Sequence, residues 1–175
     1  MTKNSKEQIY KDEKKILELL IKNAKENLDV IAKQSNFSTQ KVRRAIKQLE
    51  ENNTLWGYTG IFNEQKIGLN HYTLLAKKSN KIIEEKIVDQ IITRKLEDSA
   101  ARMDVTIENS YYVHGEYDWI LTFTAQDINA AKRFADTLSR MNDGIIEKMT
   151  ILQTMMFIRK QYILNPERIK LKEFM

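Results

Sequence analysis

The hydrophobic period of this chain changes part-way along, and that change limits the folds open to it. Through residue 51 apolar side chains recur every three or four residues. From residue 71 onward, alternating stretches and helical stretches follow in the order strand, helix, strand, strand, helix, strand. A 3.6-residue period marks one apolar stripe on a helix, and a period of two marks a half-buried strand. The chain is therefore expected to hold a small helical domain followed by a mixed α+β domain. Gly57 and Gly60 punctuate the β-prone residues Trp56, Tyr58, Ile61 and Phe62, which read as a short strand or wing leaving the helical unit, and the boundary is placed after it, near residues 62–70. The expected division is 1–62, 63–160 and a C-terminal tail, 161–175.

In the first part, Ile16, Leu17, Leu20 and Ile21 predict a helix over 11–23, with Asp12 and Glu13 in a first turn that favours acids. Asn27 is placed to cap a short helix, LDVIAKQ, and Ser38 to cap a third whose apolar face is Val42, Ala45, Ile46 and Leu49. Two short helices joined by a tight turn suggest a helix-turn-helix. Ala32 is small where crossing helices approach, and Asn36 tolerates the left-handed conformation that the turn needs. Phe37 and Val42 can fill the wedge between the helices. The same apolar spacing would also serve an ordinary helical hairpin.

The charge on the third helix separates the two options. Between Lys41 and Lys47 the segment NFSTQKVRRAIKQLEE carries four cations, and it has no acid before Glu50. A helix capped by Ser often has Glu three residues later. Here that position is Lys41. An acid there would support the helix but repel phosphate. Ser38, Thr39, Gln40, Arg43 and Arg44 suit base edges or adjacent phosphates, and Lys41 and Lys47 suit phosphates. The net charge of +5 is modest, but its placement is informative: residues 1–62 hold 12 Lys/Arg against 8 Asp/Glu. Double-stranded DNA fits this pattern as a partner, and a basic face turned only to solvent would give the same pattern.

The second part reads as βαββαβ. Strands are expected at 71–77, 105–113, 117–124 and 145–158, a long helix over 80–103 with Ile83, Ile87, Ile91 and Leu96 near one face, and a helix capped by Asp127. Val105, Ile107, Asn109, Tyr111 and Val113 would share one side of the second strand. The order predicts a ferredoxin-like sandwich, with helices on one sheet face and Tyr, Trp, Met and Ile residues on the other. Such an apolar face usually meets another subunit. There is no Cys, and two His leave little for a metal site, so no metal or cofactor is expected. No apolar run approaches the roughly 20 residues of a membrane span. The N-terminus MTKNSKEQIYKDEKK is polar, and a soluble cytoplasmic protein with no membrane partner is expected.

Several stretches resemble the Lrp/AsnC, or feast/famine, family. LEENNTLWGYTGIFNEQKIGL at 49–69 is similar to that family's exit from the recognition helix and hinge. VHGEYDWIL at 113–121 is similar to its Gly-X-Tyr-Asp turn, and Asp12, Ile16 and Leu17 fit its opening helix. The resemblance implies an N-terminal winged helix-turn-helix with recognition helix Ser38–Glu51, and a ferredoxin-like domain for effector binding and assembly. It implies a homodimer, tetramer or octamer binding palindromic sites, with an amino acid as candidate effector near Gly115, Tyr117, Asp118 and Thr150. Asn36 and Asn53 stand where the family usually has Gly, and Lys148 where it often has Thr. The first expectation is a sequence-specific transcription regulator and not an enzyme. Two alternatives stand beside it. One is a siroheme decarboxylase-like enzyme using His114, Glu116 and Asp118. The other is an architectural protein that binds DNA with little sequence preference.

Overall fold

The computed structural model describes residues 3–83, 85–93 and 95–175. The chain divides into two compact units. One holds the chain through Ile61 together with Ile158–Met175, and the other is Phe62–Phe157.

The first unit is built on three helices: α1 (Lys3–Leu20), α2 (Leu28–Ser35) and α3 (Thr39–Glu51). The α1 helix begins well before residue 11, so Asp12 sits in its middle and not in a first turn. Asn27 caps α2 by accepting the Asp29 N–H at 2.9 Å. The α2 helix stops because Asn36 turns left-handed at φ 58°, which lets the Phe37 N–H reach back to the Ala32 carbonyl at 2.9 Å. Ser38, in extended conformation, caps α3 by accepting the Lys41 N–H at 3.2 Å. The three apolar stripes meet at Ile16, Leu20, Ile31, Ala32 and Val42, with Phe37, Ala45, Ile46 and Leu55 at the margin. Fully burying a side chain such as Ile31 or Val42 contributes about 1.5–3 kcal/mol. Asn53, φ 58°, then redirects the chain, and both the Thr54 and Leu55 N–H groups bond the Leu49 carbonyl at 2.9 Å. Residues 55–62 run without any strand pairing among the described residues, although their composition suits a strand.

The second unit is a four-stranded antiparallel sheet of β1 (Asn70–Lys78), β2 (Thr106–Tyr112), β3 (Trp119–Ala125) and β4 (Ile146–Gln153) in the order β2-β3-β1-β4. Tyr72, Leu74, Leu121 and Phe123 point from it into a core shared with α5 (Lys95–Ala101) and α6 (Ile128–Met141). This is the ferredoxin-like arrangement. Phe134 lies edge-on to Phe123 with ring centroids 5.0 Å apart. Asp127 caps α6 by accepting the Ala130 N–H at 2.7 Å.

Three expectations are corrected here. The helix expected over 80–103 is two: α4 (Glu85–Ile92) and α5. Thr93 follows α4 and turns its hydroxyl back on the Asp89 carbonyl at 2.5 Å, a contact that competes with continued helix. Ile87 is half-buried and Leu96 buried, while the Ile91 side chain lies outside the described residues.

The second correction is in β2, which does not keep one alternation. Ile107 faces Phe123 and Asn109 faces Thr122, with Glu108 as an inserted bulge residue. A bulge exchanges the faces of everything beyond it. Asn109 and Tyr111 therefore leave the side that Val105 and Ile107 occupy.

Third, the open sheet face is more polar than expected. Trp119, Ile146 and Met149 pack on the helix side. The opposite face shows Thr73, Leu75, Ile120, Thr122, Thr150 and Leu152, with Tyr111 beside them.

The residues after 157 are ordered structure. β5 (Arg159–Lys160) pairs with β6 (Ile163–Leu164), and a 3-10 segment spans Arg168–Glu173.

Candidate nucleic-acid interface

Val42 and Leu49 turn the inner side of α3 into the helical core, and the opposite side is left to solvent. Gln40, Arg43, Arg44 and Lys47 stand at i, i+3, i+4 and i+7, so they form one stripe, and all four are exposed. No ion pair holds Arg43 or Arg44 among the described residues. Their guanidinium groups keep their donors for an outside acceptor. Lys47 has only a loose contact with Glu51, 3.6 Å away, with both side chains mostly solvated. Such pairs contribute little and exchange readily with a phosphate.

The other expected contacts at the start of α3 are already engaged. The Thr39 hydroxyl donates to Asp29 Oδ1 at 2.8 Å, which ties α3 to the start of α2. Lys41 Nζ meets Asp12 Oδ2 at 2.6 Å and also lies 3.8 Å from the centroid of the Phe37 ring. Asp12 also accepts from Gln8 at 2.9 Å. Burial pushes the Asp12 carboxyl upward, but the hydrogen bonds from Lys41 and Gln8 and the charges of Lys41 and Lys15 outweigh it, so its pKa falls below the ordinary value. Lys41 thus links α3 to α1 as well as facing outward. Sequence reasoning missed this link and the Asp29–Thr39 link. The one partner is 29 residues upstream of Lys41, beyond any local pattern. The Asp29–Thr39 pair follows from the helix-turn-helix geometry and was legible once that motif was accepted.

Beyond α3, the Tyr58 hydroxyl donates to Glu50 Oε1 at 2.9 Å, and Trp56 Nε1 donates to the Asn53 carbonyl at 2.6 Å. Burial and then the bonded Glu50 carboxylate raise the Tyr58 pKa, so this phenol stays protonated at neutral pH. The Trp56 ring is nevertheless 93% exposed.

The four residues suggested for an effector are not gathered in one place. Gly115 is in an exposed bend with open space where a Cβ would be. Tyr117 has Lys148 Nζ 6.0 Å from its ring centroid. Thr150 lies opposite Leu75, two residues from Lys148 on the open sheet face. Asp118 instead accepts the Lys78 N–H at 2.9 Å and lines a cavity of about 250 Å³ on the helix side, with Ala76, Ile83, Ile87, Tyr112 and Trp119. No hydrogen bond or ion pair joins His114, Glu116 and Asp118.

The open sheet face holds a contact unforeseen from sequence. His71 Nδ1 is 2.7 Å from the Thr154 hydroxyl, and its Nε2 is 3.3 Å from Glu108 Oε2. Phe157 stands edge-on to the His71 ring. Among the described residues no three His, Asp or Glu side chains are grouped to hold a metal, and no helix is long and apolar enough to cross a membrane.

Comparisons with known proteins agree with this geometry. The family model for winged helix-turn-helix DNA-binding domains matches residues 13–54, which contain α2, α3 and most of the core of α1. An uncharacterized HTH-type transcriptional regulator of Pyrococcus furiosus is 29% identical over 155 residues, covering 88% of this chain and 96% of the relative. The AsnC family transcriptional regulator from Agrobacterium tumefaciens superposes with TM-score 0.62 at 18% identity, over 89% of this chain and 96% of that one. A transcriptional regulator from Neisseria meningitidis, solved in complex with L-Met, superposes with TM-score 0.63 at 17% identity, over 91% and 97%. Residues 13–54 match the winged helix-turn-helix DNA-binding model, and the chain as a whole has the two-part fold of solved Lrp/AsnC-type regulators.

Proposed function

We propose that this chain is a sequence-specific DNA-binding transcription regulator of the Lrp/AsnC type. Arg43 and Arg44, exposed on an N-capped helix and without an ion pair among the described residues, carry this reading. On it, α3 enters the major groove. Gln40, Arg43 and Arg44 meet base edges or the phosphates beside them, and Ser38 and Thr39 lie at the groove entrance. Lys47 contacts a phosphate, and Lys41, held by Asp12, reaches one only in part. A bidentate arginine on guanine contributes about 1–3 kcal/mol of discrimination.

A dimer or larger assembly places two copies of α3 one helical turn, roughly 34 Å, apart on a palindromic site. The open sheet face, with Leu75, Ile120 and Leu152, is the assembly surface we propose. The L-Met complex of the Neisseria regulator supports an amino acid as the effector class. Tyr117 and Thr150, with Lys148 between them, are the effector contacts we propose on the open face, and Gly115 and Asp118 shape the turn that presents Tyr117. The relatives' names are those of transcription regulators, which supports a cytoplasmic role in gene control without covalent chemistry.

The test is selection of bound duplexes from a random library, at one stated salt concentration, with and without an amino-acid mixture. An enriched inverted repeat with half-sites about 10–11 base pairs apart is expected. A pool that stays random at every salt concentration would overturn the proposal.

A further inference from the structure

The chain's charge follows its compact units more sharply than its linear order. The unit made of residues through 61 plus 158–175 holds 17 Lys/Arg against 10 Asp/Glu, and the unit 62–157 holds 12 against 14. The first is therefore +7 and the second −2. Ile158–Met175 contributes five cations and two acids to this difference. We infer that this C-terminal segment is a second contact of the chain with the DNA phosphate backbone, resting on the DNA-binding function proposed above.

Three observations support it. First, the segment is shaped and not a loose tail. β5 and β6 pair around Gln161, φ 50°, and the Asn165 N–H extends the hairpin by bonding the Ile158 carbonyl at 3.0 Å. Asn165 Oδ1 then accepts the Glu167 N–H at 2.8 Å and opens the turn into the 3-10 segment. A preformed hairpin loses little entropy on binding.

Second, its cations are not all spent internally. Lys170 is held by Glu167 at 2.8 Å. Arg159 and Lys172 are exposed and hold no ion pair among the described residues. Among the described residues, Arg168 contacts only the Asn165 carbonyl, from Nη1 at 3.3 Å, which leaves its other donors available. Tyr162 is exposed between these cations.

Third, the segment belongs to the same compact unit as α3. A unit of 79 residues has a radius of gyration of about 12 Å. Both elements therefore lie within roughly the 34 Å of one duplex turn. The hairpin would then supply from the far end of the chain the strand pair that residues 55–62 do not form. The negative charge of the other unit disfavours a polyanion there and leaves this unit as the attractive one.

The test compares three forms of the full chain in salt titrations of duplex binding. They are the wild type, Arg159→Gln/Arg168→Gln/Lys172→Gln, and a control with the same charge loss on α6, Lys132→Gln/Arg133→Gln/Arg140→Gln. Each phosphate contact contributes about 0.9 to the slope of log K against log salt. The C-terminal variant should lose up to about 2.7 in slope, or at most roughly 500-fold in affinity at 0.1 M salt, with its preference for the selected site unchanged. The α6 control should lose less than about 1 in slope. The single variants Arg159→Gln and Lys172→Gln should each lose about 0.9, and they keep the test intact if the triple variant folds poorly. A C-terminal variant indistinguishable from wild type overturns this inference alone, as does an equal loss in the α6 control. An altered assembly mass with unchanged slope would assign the segment to contacts between copies and also overturn it. A wild-type chain that binds no duplex overturns the proposed function, and this inference with it.

Discussion

Replacing Asp12 with Asn should make the protein less stable and a tighter DNA binder at the same time. Asp12 is mostly covered, at 14% side-chain exposure, and sits 2.6 Å from a Lys41 ammonium that is 45% exposed. A pair of this kind contributes about 0.5–1 kcal/mol. The Gln8 hydrogen bond survives the change in weaker, neutral form, so the expected loss is about 1 kcal/mol, read as a lower urea midpoint with unchanged m. Lys41 is not fully released, because it remains over the Phe37 ring, a contact of about 0.5–1 kcal/mol. One freed phosphate contact steepens the salt slope by about 0.9, which is up to roughly eightfold tighter binding at 0.1 M salt. In a Lys41→Gln background the same Asp12 change should leave the slope untouched. The pH dependence has a definite sign. The folded-state pKa of Asp12 lies below its ordinary 3.8, so its stabilisation is complete above that value and is lost as pH falls through the folded pKa. The wild type should therefore lose its stability advantage over Asp12→Asn below about pH 4. A folded Asp12→Asn protein with unchanged or shallower salt slope would refute the role given to Lys41.

Two further outcomes follow from the backbone and the core. Asn36→Ala and Asn53→Ala should each cost about 1 kcal/mol, because both positions hold φ 58°, while the Gly versions should be close to neutral; urea denaturation separates them. The Tyr72 hydroxyl is fully buried and has no hydrogen-bond partner among the described residues, so Tyr72→Phe should be neutral or raise stability by about 1 kcal/mol, measured the same way.

What the sequence made legible is what short-range chemistry decides. Asn27, Ser38 and Asp127 cap helices because their own side chains reach N–H groups two or three residues on. Asn36 was readable as a left-handed position because few other residues tolerate that region, and Asn53 through the Gly usual at its place in the family the chain resembles. The strand order came from period switching and the pairing rules of compact sheets. Except for the break after α4, where Thr93 bonds back four residues to Asp89, the misses depend on distant partners. Lys41 looked like a free phosphate contact until α1 brought Asp12 to it. The Glu108 bulge is set by how β2 registers against β3, and no alternation within β2 alone encodes it. The break after α4 needed the Thr93 back-bond. The proposed effector residues looked like one cluster because three are adjacent in sequence. The sheet instead sends Asp118 and Thr150 to opposite faces.

The central claim is that Arg43 and Arg44 reach out from α3 to read a duplex. The most direct measurement is the affinity of wild type, Arg43→Ala and Arg44→Ala for a selected site and for a scrambled duplex at one salt concentration. The account predicts that at least one substitution costs about 1–3 kcal/mol on the selected site while the scrambled duplex loses much less. Equal losses on both duplexes, or no loss on either, would contradict it.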